Sequence, residues 1–188
     1  MKRVAVLALQ GAFIEHERML CQLGCQPVEI RQLVNWQQPH DALVLPGGES
    51  TTMLKLLTDL GLLEPVRREI AGGLPVLGTC AGLILLAKHV EGEAFSRIST
   101  MDITVRRNAY GRQLGSFHTE AHFKGIGKVP MTFIRAPYIE SVGDGVEVLA
   151  ETGGHIVAAR QRNQLVTAFH PELDSDTRIY QMFVDGIK

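Results

Sequence analysis

The first half of the chain alternates short apolar runs with stretches in which apolar residues recur at helical spacing. Residues 2–9 are typical of a buried strand, and residues 11–23 carry Ile14, Met19 and Leu23 at roughly helical spacing before Gly24 ends the pattern. The same signals recur as strands at 28–33, 41–45 and 75–77 and as helices at 49–61, 64–71 and 83–88. Because strands that alternate with helices pair in parallel through crossovers, this half predicts a parallel sheet.

After about residue 91 the pattern changes to strand-like pieces separated by turn signals. These pieces lie at 102–105, 115–123, 131–134, 147–151, 155–159 and 165–169. Thr152-Gly153-Gly154 predicts a hairpin turn, and residues 174–184 predict a closing helix. We therefore expect a three-layer α/β fold, with a mostly parallel central sheet, flanking helices and a strand-rich second half.

Composition and charge narrow the class of protein. The 188 residues suffice for one compact domain, which we place at 1–188, and 45% apolar with 21% charged residues is ordinary globular composition. Lysine and arginine total 19 against 20 aspartate and glutamate, so no positive excess predicts binding to nucleic acid or an anionic membrane. No apolar run approaches the ~20 residues that a membrane span requires. Three cysteines do not fit a disulfide framework, which favours the reducing cytoplasm.

The segment Gly78-Thr79-Cys80-Ala81-Gly82 lies between a short apolar strand and an apolar helix, the context in which a tight turn exposes a nucleophile above a sheet. Glycines two positions before and after Cys80 allow the backbone to pack closely through the turn. The start of the helix directs free N–H groups at the sulfur, which favours the thiolate. On Cys80 alone, a small buried hydrophobic residue remains the more common alternative.

A base for such a nucleophile is offered by Phe169-His170-Pro171-Glu172, which follows the last apolar strand. Side chains two positions apart share a face of an extended backbone. Glu172 can therefore orient the imidazole of His170 while the other ring nitrogen reaches Cys80. An ordinary loop histidine is the alternative, but only His170 among seven histidines has an acidic residue at this spacing after such a strand.

A glycine turn at Pro46-Gly47-Gly48-Glu49-Ser50 follows another predicted strand. Its backbone N–H groups could stabilise an oxyanion together with the N–H of Ala81. As a phosphate loop the segment would need a lysine, and Glu49 would repel phosphate.

Three alternating residues, His118, Glu120 and His122, could share a strand face as metal ligands. No further histidine or cysteine is close in sequence, so a solvated strand face is the favoured interpretation. The sequence carries no flavin, nucleotide or metal motif, and we expect no cofactor and no metal.

These motifs together resemble those of class I, triad-type glutamine amidotransferases, in which a G-x-C-x-G turn and a late H-P-E match Cys80, His170 and Glu172. Within that class the chain is similar to the glutaminase-subunit family of pyridoxal phosphate synthases. The matching blocks are Leu9-Gln10-Gly11 with Glu15-His16, residues 46–52, residues 78–83, Arg107-Asn108-Ala109-Tyr110-Gly111-Arg112-Gln113, Phe133-Ile134-Arg135-Ala136-Pro137 and Phe169-His170-Pro171-Glu172-Leu173. They span nearly the whole chain. Residues 91–100 depart from the family pattern, and nothing is inferred for them.

The resemblance implies a flavodoxin-like fold and a site that hydrolyses L-glutamine to L-glutamate and ammonia through a cysteine thioester. It implies a catalytic triad of Cys80, His170 and Glu172. It also implies a glutamine pocket lined by Gly47, Gly48, Glu49, Ser50, Arg107, Ile134 and Arg135. Our candidates for the oxyanion hole are the N–H groups of Gly48 and Ala81. An arginine suits the substrate because it binds a carboxylate in a bidentate manner. We choose Arg107 over Arg106, since alternation turns only one of them inward and Arg107 precedes Asn108 in the motif.

The resemblance also implies a partner, because no part of the chain remains to use the ammonia. That partner is a separate synthase subunit, in a large hetero-oligomer that makes pyridoxal phosphate from a pentose phosphate, a triose phosphate and glutamine nitrogen. We expect the Gln10-Gly11 loop to lie near this interface and to gate the oxyanion hole. Two alternatives stay open: a stand-alone cysteine amidohydrolase on the same scaffold, and a non-catalytic binding module with a structural Cys80.

Overall fold

A computed structural model describes residues 1–107 and 115–188. Its strands are β1 (Arg3–Leu7), β2 (Gln26–Ile30), β3 (Ala42–Leu45), β4 (Val76–Thr79), β5 (Ala87–Val90), β6 (Met101–Arg106), β7 (Ser116–Phe123), β8 (Gly127–Ile134), β9 (Tyr138–Val142), β10 (Glu147–Thr152), β11 (His155–Gln161) and β12 (Gln164–Thr167). One half of the sheet has the order β2-β1-β3-β4-β12, with every neighbour parallel. This is the strand order of flavodoxin-like folds, and it confirms the predicted architecture.

The other half of the sheet continues in antiparallel fashion from β12 through β11, β10 and β7 to β8, while β9, β6 and β5 branch from β11. This is the strand-rich second half that the sequence predicts. The β10–β11 hairpin turns at Gly153-Gly154, where φ is 58° and 79°, as a two-residue hairpin turn requires. Strands β5 and β9 were not predicted.

The helices pack against the parallel strands. They are α1 (Phe13–Gln22), α2 (Leu33–Trp36), α3 (Ser50–Asp59), α4 (Leu63–Ala71), α5 (Ala81–Leu86) and α6 (Arg178–Asp185), with a 3₁₀ helix at Pro171–Leu173. The prediction for the apolar face of α1 was partly wrong, because Ile14 is half-exposed and the buried residues are His16, Met19 and Leu20. Within the described residues, no helix is long and apolar enough to cross a bilayer.

The site residues lie at one edge of this sheet. The carboxyl ends of parallel strands meet at a common edge, and ligands of open α/β sheets bind there, next to the point where the strand order reverses. Here that point lies between β1 and β3, and the loops that follow β1, β3, β4 and β12 carry the predicted functional segments.

Candidate active site

Cys80 lies in the turn between β4 and α5. Its φ of 51° and ψ of −101° are rare for a residue with a side chain. The flanking glycines are required by close packing: a Cβ on Gly78 would lie 2.9 Å from the backbone of Gly82, and one on Gly82 would lie 2.2 Å from the carbonyl oxygen of Leu45. The predicted tight turn is therefore present, and it holds the Cys80 side chain at the wall of a cavity.

His170 and Glu172 follow β12 and are both buried. The N–H at Nδ1 of His170 donates to Oε1 of Glu172 over 2.5 Å, and the backbone N–H of His170 donates to the carbonyl of Thr132 over 2.8 Å. The predicted contact is present, but its predicted cause was wrong. The two side chains meet through the 3₁₀ helix that starts at Pro171, not through an extended backbone.

The imidazole of His170 and the side chain of Cys80 line the same cavity and interact electrostatically, so folding brings together residues that are ninety positions apart in sequence. Burial alone would lower the pKa of His170, but the hydrogen bonds with Cys80 and Glu172 and the charge of Glu172 raise it to about 10. Burial likewise opposes ionisation of Glu172, yet the hydrogen bond from His170 and the charge of that imidazolium lower the pKa of this carboxyl. At neutral pH the pair is therefore an imidazolium with a carboxylate.

The glycine loop after β3 packs directly on this group. A Cβ on Gly47 would lie 2.4 Å from Cε1 of His170, and Gly48 has a φ of 153°. The loop is held from its other side by Gln10, whose Oε1 accepts the backbone N–H of Glu49 over 2.8 Å. Gly11 touches it so closely that a Cβ there would lie 1.8 Å from the carbonyl oxygen of Gly47.

Glu49 begins α3 and faces the opening of the cavity. Its carboxylate accepts hydrogen bonds from the backbone N–H groups of Thr51 and Thr52 over 3.1 Å and 2.7 Å. Partial burial would raise the pKa of Glu49, but these hydrogen bonds, with a further one from the Thr52 hydroxyl, lower it to about 2. Glu49 is thus a fixed negative charge at the start of a helix.

Arg107 also faces the cavity, as predicted, whereas Arg106 turns outward and forms a two-pronged ion pair with Glu91. Arg107 pairs with Glu49 over 3.2 Å and with Glu93 over 2.7 Å. Glu93 is in turn paired with the buried side chain of Arg97. Sequence reasoning missed Glu93 and Arg97, which lie in the segment for which the resemblance gave nothing.

These groups surround a cavity of about 520 Å³, a volume suited to a small metabolite. All the predicted pocket residues line it, together with Gln10 from the loop expected to gate the oxyanion hole and with Ala12 and Ile84, which sequence reasoning missed. The lining residues are Gln10, Ala12, Gly47, Gly48, Glu49, Ser50, Cys80, Ile84, Arg107, Ile134, Arg135 and His170. Ala81, the other predicted oxyanion donor, starts α5, so its N–H lacks an acceptor within that helix. The motif residues 108–113 lie outside the described residues.

His118, Glu120 and His122 lie on the exposed face of β7, away from the cavity. Nδ1 of His118 is 3.0 Å from the hydroxyl of Thr132, and Glu120 pairs with Lys128. Among residues 1–107 and 115–188, no group of three or more potential ligands is arranged to hold a metal ion.

The chemistry of the cavity follows from its two parts. A cysteine beside an imidazole–carboxylate pair can attack a carbonyl carbon as the thiolate, and the imidazolium can then give a proton to the leaving group. Arginine side chains near the opening can hold the carboxylate of a small substrate. The arrangement suits cleavage of an amide in a small anionic or zwitterionic molecule.

Comparisons with known proteins give the same picture. Residues 6–188 match the SNO glutamine amidotransferase family. The pyridoxal 5'-phosphate synthase subunit PdxT of Streptococcus pneumoniae is 57% identical over 189 residues, which cover 99% of this chain and 98% of that protein. A crystal structure of a glutamine amidotransferase is 42% identical, with a TM-score of 0.92 over 97% of each chain. A glutamine amidotransferase from Thermotoga maritima shares the fold, with a TM-score of 0.66 over 98% of this chain and 83% of that one, at 14% identity.

Proposed function

Because the chain belongs to the SNO glutamine amidotransferase family, we propose that it hydrolyses L-glutamine to L-glutamate and ammonia and passes the ammonia to a pyridoxal phosphate synthase subunit. One observation carries the proposal for the site. His170 hydrogen-bonds Glu172 and lines, together with Cys80, the wall of a cavity that two arginines also line. That combination supplies a nucleophile, an oriented acid–base group and cations for a substrate carboxylate.

In the proposed reaction the thiolate of Cys80 attacks the side-chain amide carbon of glutamine, and a C–S bond forms. The tetrahedral intermediate collapses as the C–N bond breaks, and the imidazolium of His170 gives its proton to the leaving ammonia. A water molecule then attacks the thioester, with the now neutral His170 taking its proton. Collapse of the second intermediate breaks the C–S bond, and glutamate is released. Glu172 stays ionised throughout and keeps the imidazole in position.

Each intermediate carries a negative oxygen, for which we propose the N–H groups of Gly48 and Ala81 as donors. Loss of one such donor typically costs ~10²–10³ in rate. The contacts of Gln10 and Gly11 with the Gly47-Gly48 backbone support the idea that the loop after β1 gates this hole.

For substrate binding we propose that Arg107 and Arg135 hold the carboxylate of glutamine, while Ile134 and the loop 47–50 enclose the rest. The contacts of Arg107 with Glu49 and Glu93 use only part of its five N–H donors, so others remain for a substrate. These contacts also fix the guanidinium before the substrate arrives, which reduces the entropy lost on binding.

We also propose a domain organisation, a cellular compartment and an assembly for this chain. One continuous sheet and the family match over residues 6–188 support a single domain at 1–188. The free thiols of Cys21, Cys25 and Cys80 favour the reducing cytoplasm. The relative named as a synthase subunit supports a hetero-oligomer with a synthase partner.

The test is ammonia release from glutamine by the full chain, alone and with the synthase subunit from the same source. Cys80→Ala should bind glutamine in calorimetry but lose at least about 10⁴-fold in kcat, because no nucleophile remains. Cys21→Ser, which changes an exposed cysteine, is the matched control and should keep its activity. Substantial turnover by Cys80→Ala contradicts the assignment of the nucleophile.

The same assay separates the alternatives. A stand-alone amidohydrolase would cleave asparagine or small peptides in preference to glutamine and would not respond to the synthase subunit. A non-catalytic binding module would release no ammonia, and glutamine would not protect Cys80 from alkylation.

A further inference from the structure

A second histidine lies behind the triad. His16 projects from α1 and is completely buried. Its Nδ1 is 2.6 Å from the hydroxyl oxygen of Tyr180 on α6, and its Nε2 is 3.2 Å from the hydroxyl oxygen of Thr79, the residue that precedes Cys80. His16 therefore connects two helices with the turn that carries the nucleophile.

The carboxylate of Glu172 faces the same histidine. Its Oε1 accepts the hydrogen bond from His170, whereas its Oε2 is buried and has no hydrogen-bond partner within the described ranges 1–107 and 115–188. This Oε2 lies 3.7 Å from Nε2 of His16. This separation is longer than a hydrogen bond, but a buried carboxylate oxygen without a donor is unfavourable, so an N–H on Nε2 facing it would offset part of that cost electrostatically.

The protons of His16 can be placed from its neighbours. Burial raises the pKa of Tyr180, so its hydroxyl keeps its proton and can donate to Nδ1. Burial lowers the pKa of His16, although the charges of Glu172 and Glu15 oppose this and that of His170 adds to it. The imidazole is therefore neutral, and with Nδ1 as acceptor its single N–H is at Nε2, on the side of Thr79 and Glu172.

We propose that His16, held in this tautomer by Tyr180, is a positioning residue for the triad, whose Nε2–H fixes the Glu172 carboxylate and through it the orientation of His170. The inference rests on the proposed function of Cys80, His170 and Glu172. A neutral donor suits this task. A protonated His16 would bring a second positive charge to the carboxylate and compete with His170 for it.

The experiment compares four variants of the full chain. His16→Leu keeps roughly the volume but removes both ring nitrogens, and His16→Gln restores an N–H donor near the position of Nε2. Tyr180→Phe removes only the hydroxyl that sets the tautomer. Leu20→Ala, a large-to-small change on the same buried face of α1, controls for a general loss of packing.

The first measurement is the titration of His170 by NMR in full chain labelled with ¹⁵N-histidine. In His16→Leu, we expect its midpoint to fall by about one pH unit from the wild-type value, because a carboxylate that has lost a facing N–H supports the imidazolium less well. Tyr180→Phe should shift the midpoint in the same direction by less. His16→Gln and Leu20→Ala should stay near wild type.

The second measurement is steady-state glutaminase activity with the synthase subunit present. His16→Leu should lose about tenfold in kcat with little change in KM, because a misoriented acid slows the chemical step and leaves binding intact. His16→Gln should recover most of that loss.

An unchanged His170 midpoint in folded His16→Leu, or an equal shift in Leu20→Ala, contradicts the positioning role. If His16→Leu does not fold, the Tyr180→Phe titration decides, and an unshifted midpoint there overturns the proposal. A wild-type chain that releases no ammonia from glutamine would instead disprove the proposed function, and the NMR titration would still test the contact.

Discussion

Each side of the cavity contains a pair formed by a basic and an acidic side chain, but one pair is buried and the other is partly exposed to solvent. The His170 and Glu172 side chains are 9% and 0% exposed, whereas those of Arg107 and Glu49 are 27% and 49% exposed. Because His170 and Glu172 are buried, each shifts the pKa of the other. Solvent screens the charges of Arg107 and Glu49, so this second pair mainly holds the two side chains in position. We call the first group the floor and the second the rim; the floor is Cys80, His170 and Glu172, and the rim is Glu49, Glu93 and Arg107.

This difference predicts a division of labour. A change in the floor should act on kcat, because it alters the protonation and orientation of groups that react. A change in the rim should act on KM, because it alters contacts made equally in the ground state and the transition state. The following substitutions test that division in order of expected effect.

Glu172→Gln should have the largest effect, because it removes the carboxylate that pairs with His170 in the floor. We expect kcat to fall by about 10³–10⁴, because the amide no longer supports the imidazolium or fixes its tautomer. Glu147→Gln, which removes a surface carboxylate paired with Arg160, is the control and should keep its kcat. Steady-state kinetics on both variants provides the measurement. A loss of less than tenfold in the kcat of Glu172→Gln would contradict the role of Glu172 in the triad.

The pH dependence of stability offers a second view of the same substitution. The pKa of His170 is raised from an ordinary 6.5 to about 10, so its interactions stabilise the fold fully below pH 6.5 and are lost as pH rises towards 10. The free energy of unfolding of wild type, from urea titrations, should therefore decline across that interval. In Glu172→Gln the decline should be smaller, and an equal slope in the two proteins would contradict the assigned cause.

Gly11→Ala should displace the backbone that carries Gly48, the proposed oxyanion donor. Its Cβ would lie 1.8 Å from the carbonyl oxygen of Gly47, so the Gly47-Gly48 backbone must move, and we expect kcat to fall by about 10². Gly24→Ala is a matched control, because φ is also positive there, at 75°, but no atom lies within 4 Å of the new Cβ. Equal kcat values in the two variants would show that the loop after β1 does not support the hole.

Arg107→Gln should have a smaller effect than Glu172→Gln and Gly11→Ala. We expect KM for glutamine to rise about tenfold with kcat within about twofold, since one charge-assisted contact with the substrate carboxylate is lost. Glu93→Gln should raise KM less, because it only loosens Arg107. Arg106→Gln, at the outward-facing neighbour, should change neither constant. A fall in kcat for Arg107→Gln without a rise in KM would contradict the division between rim and floor.

The residues that sequence reasoning predicted well belong to short local motifs. Cys80 is predictable because its two glycines and its place between strand and helix follow directly from backbone sterics. The contact of Glu172 with His170 was predicted from their spacing and is present, although it arises from a 3₁₀ helix and not from an extended backbone. The choice of Arg107 over Arg106 combined the alternation of a strand end, which turns only one of them inward, with the motif position before Asn108.

Residues outside such motifs could not be predicted, because their contacts join distant segments. Glu93 and Arg97 have no periodic pattern, and their link to Arg107 exists only once the chain is folded. His16 was quoted within a matching block but received no role, because the spacing of apolar residues predicted a buried face through Ile14 and left the histidine on the polar side. The strand β5 begins inside the run predicted as helix 83–88, where two polar residues obscure the change of period.

The position of β12 in the sheet affects how the protein is made. This strand pairs with β4, although about ninety residues of synthesis separate the nucleophile from its acid. At ribosomal speeds of about 5–20 residues per second, roughly 5–18 s pass between the two. We expect the nascent chain to carry Cys80 without His170 during that interval. The proposed glutamine hydrolysis can then begin only after β12 has paired with β4.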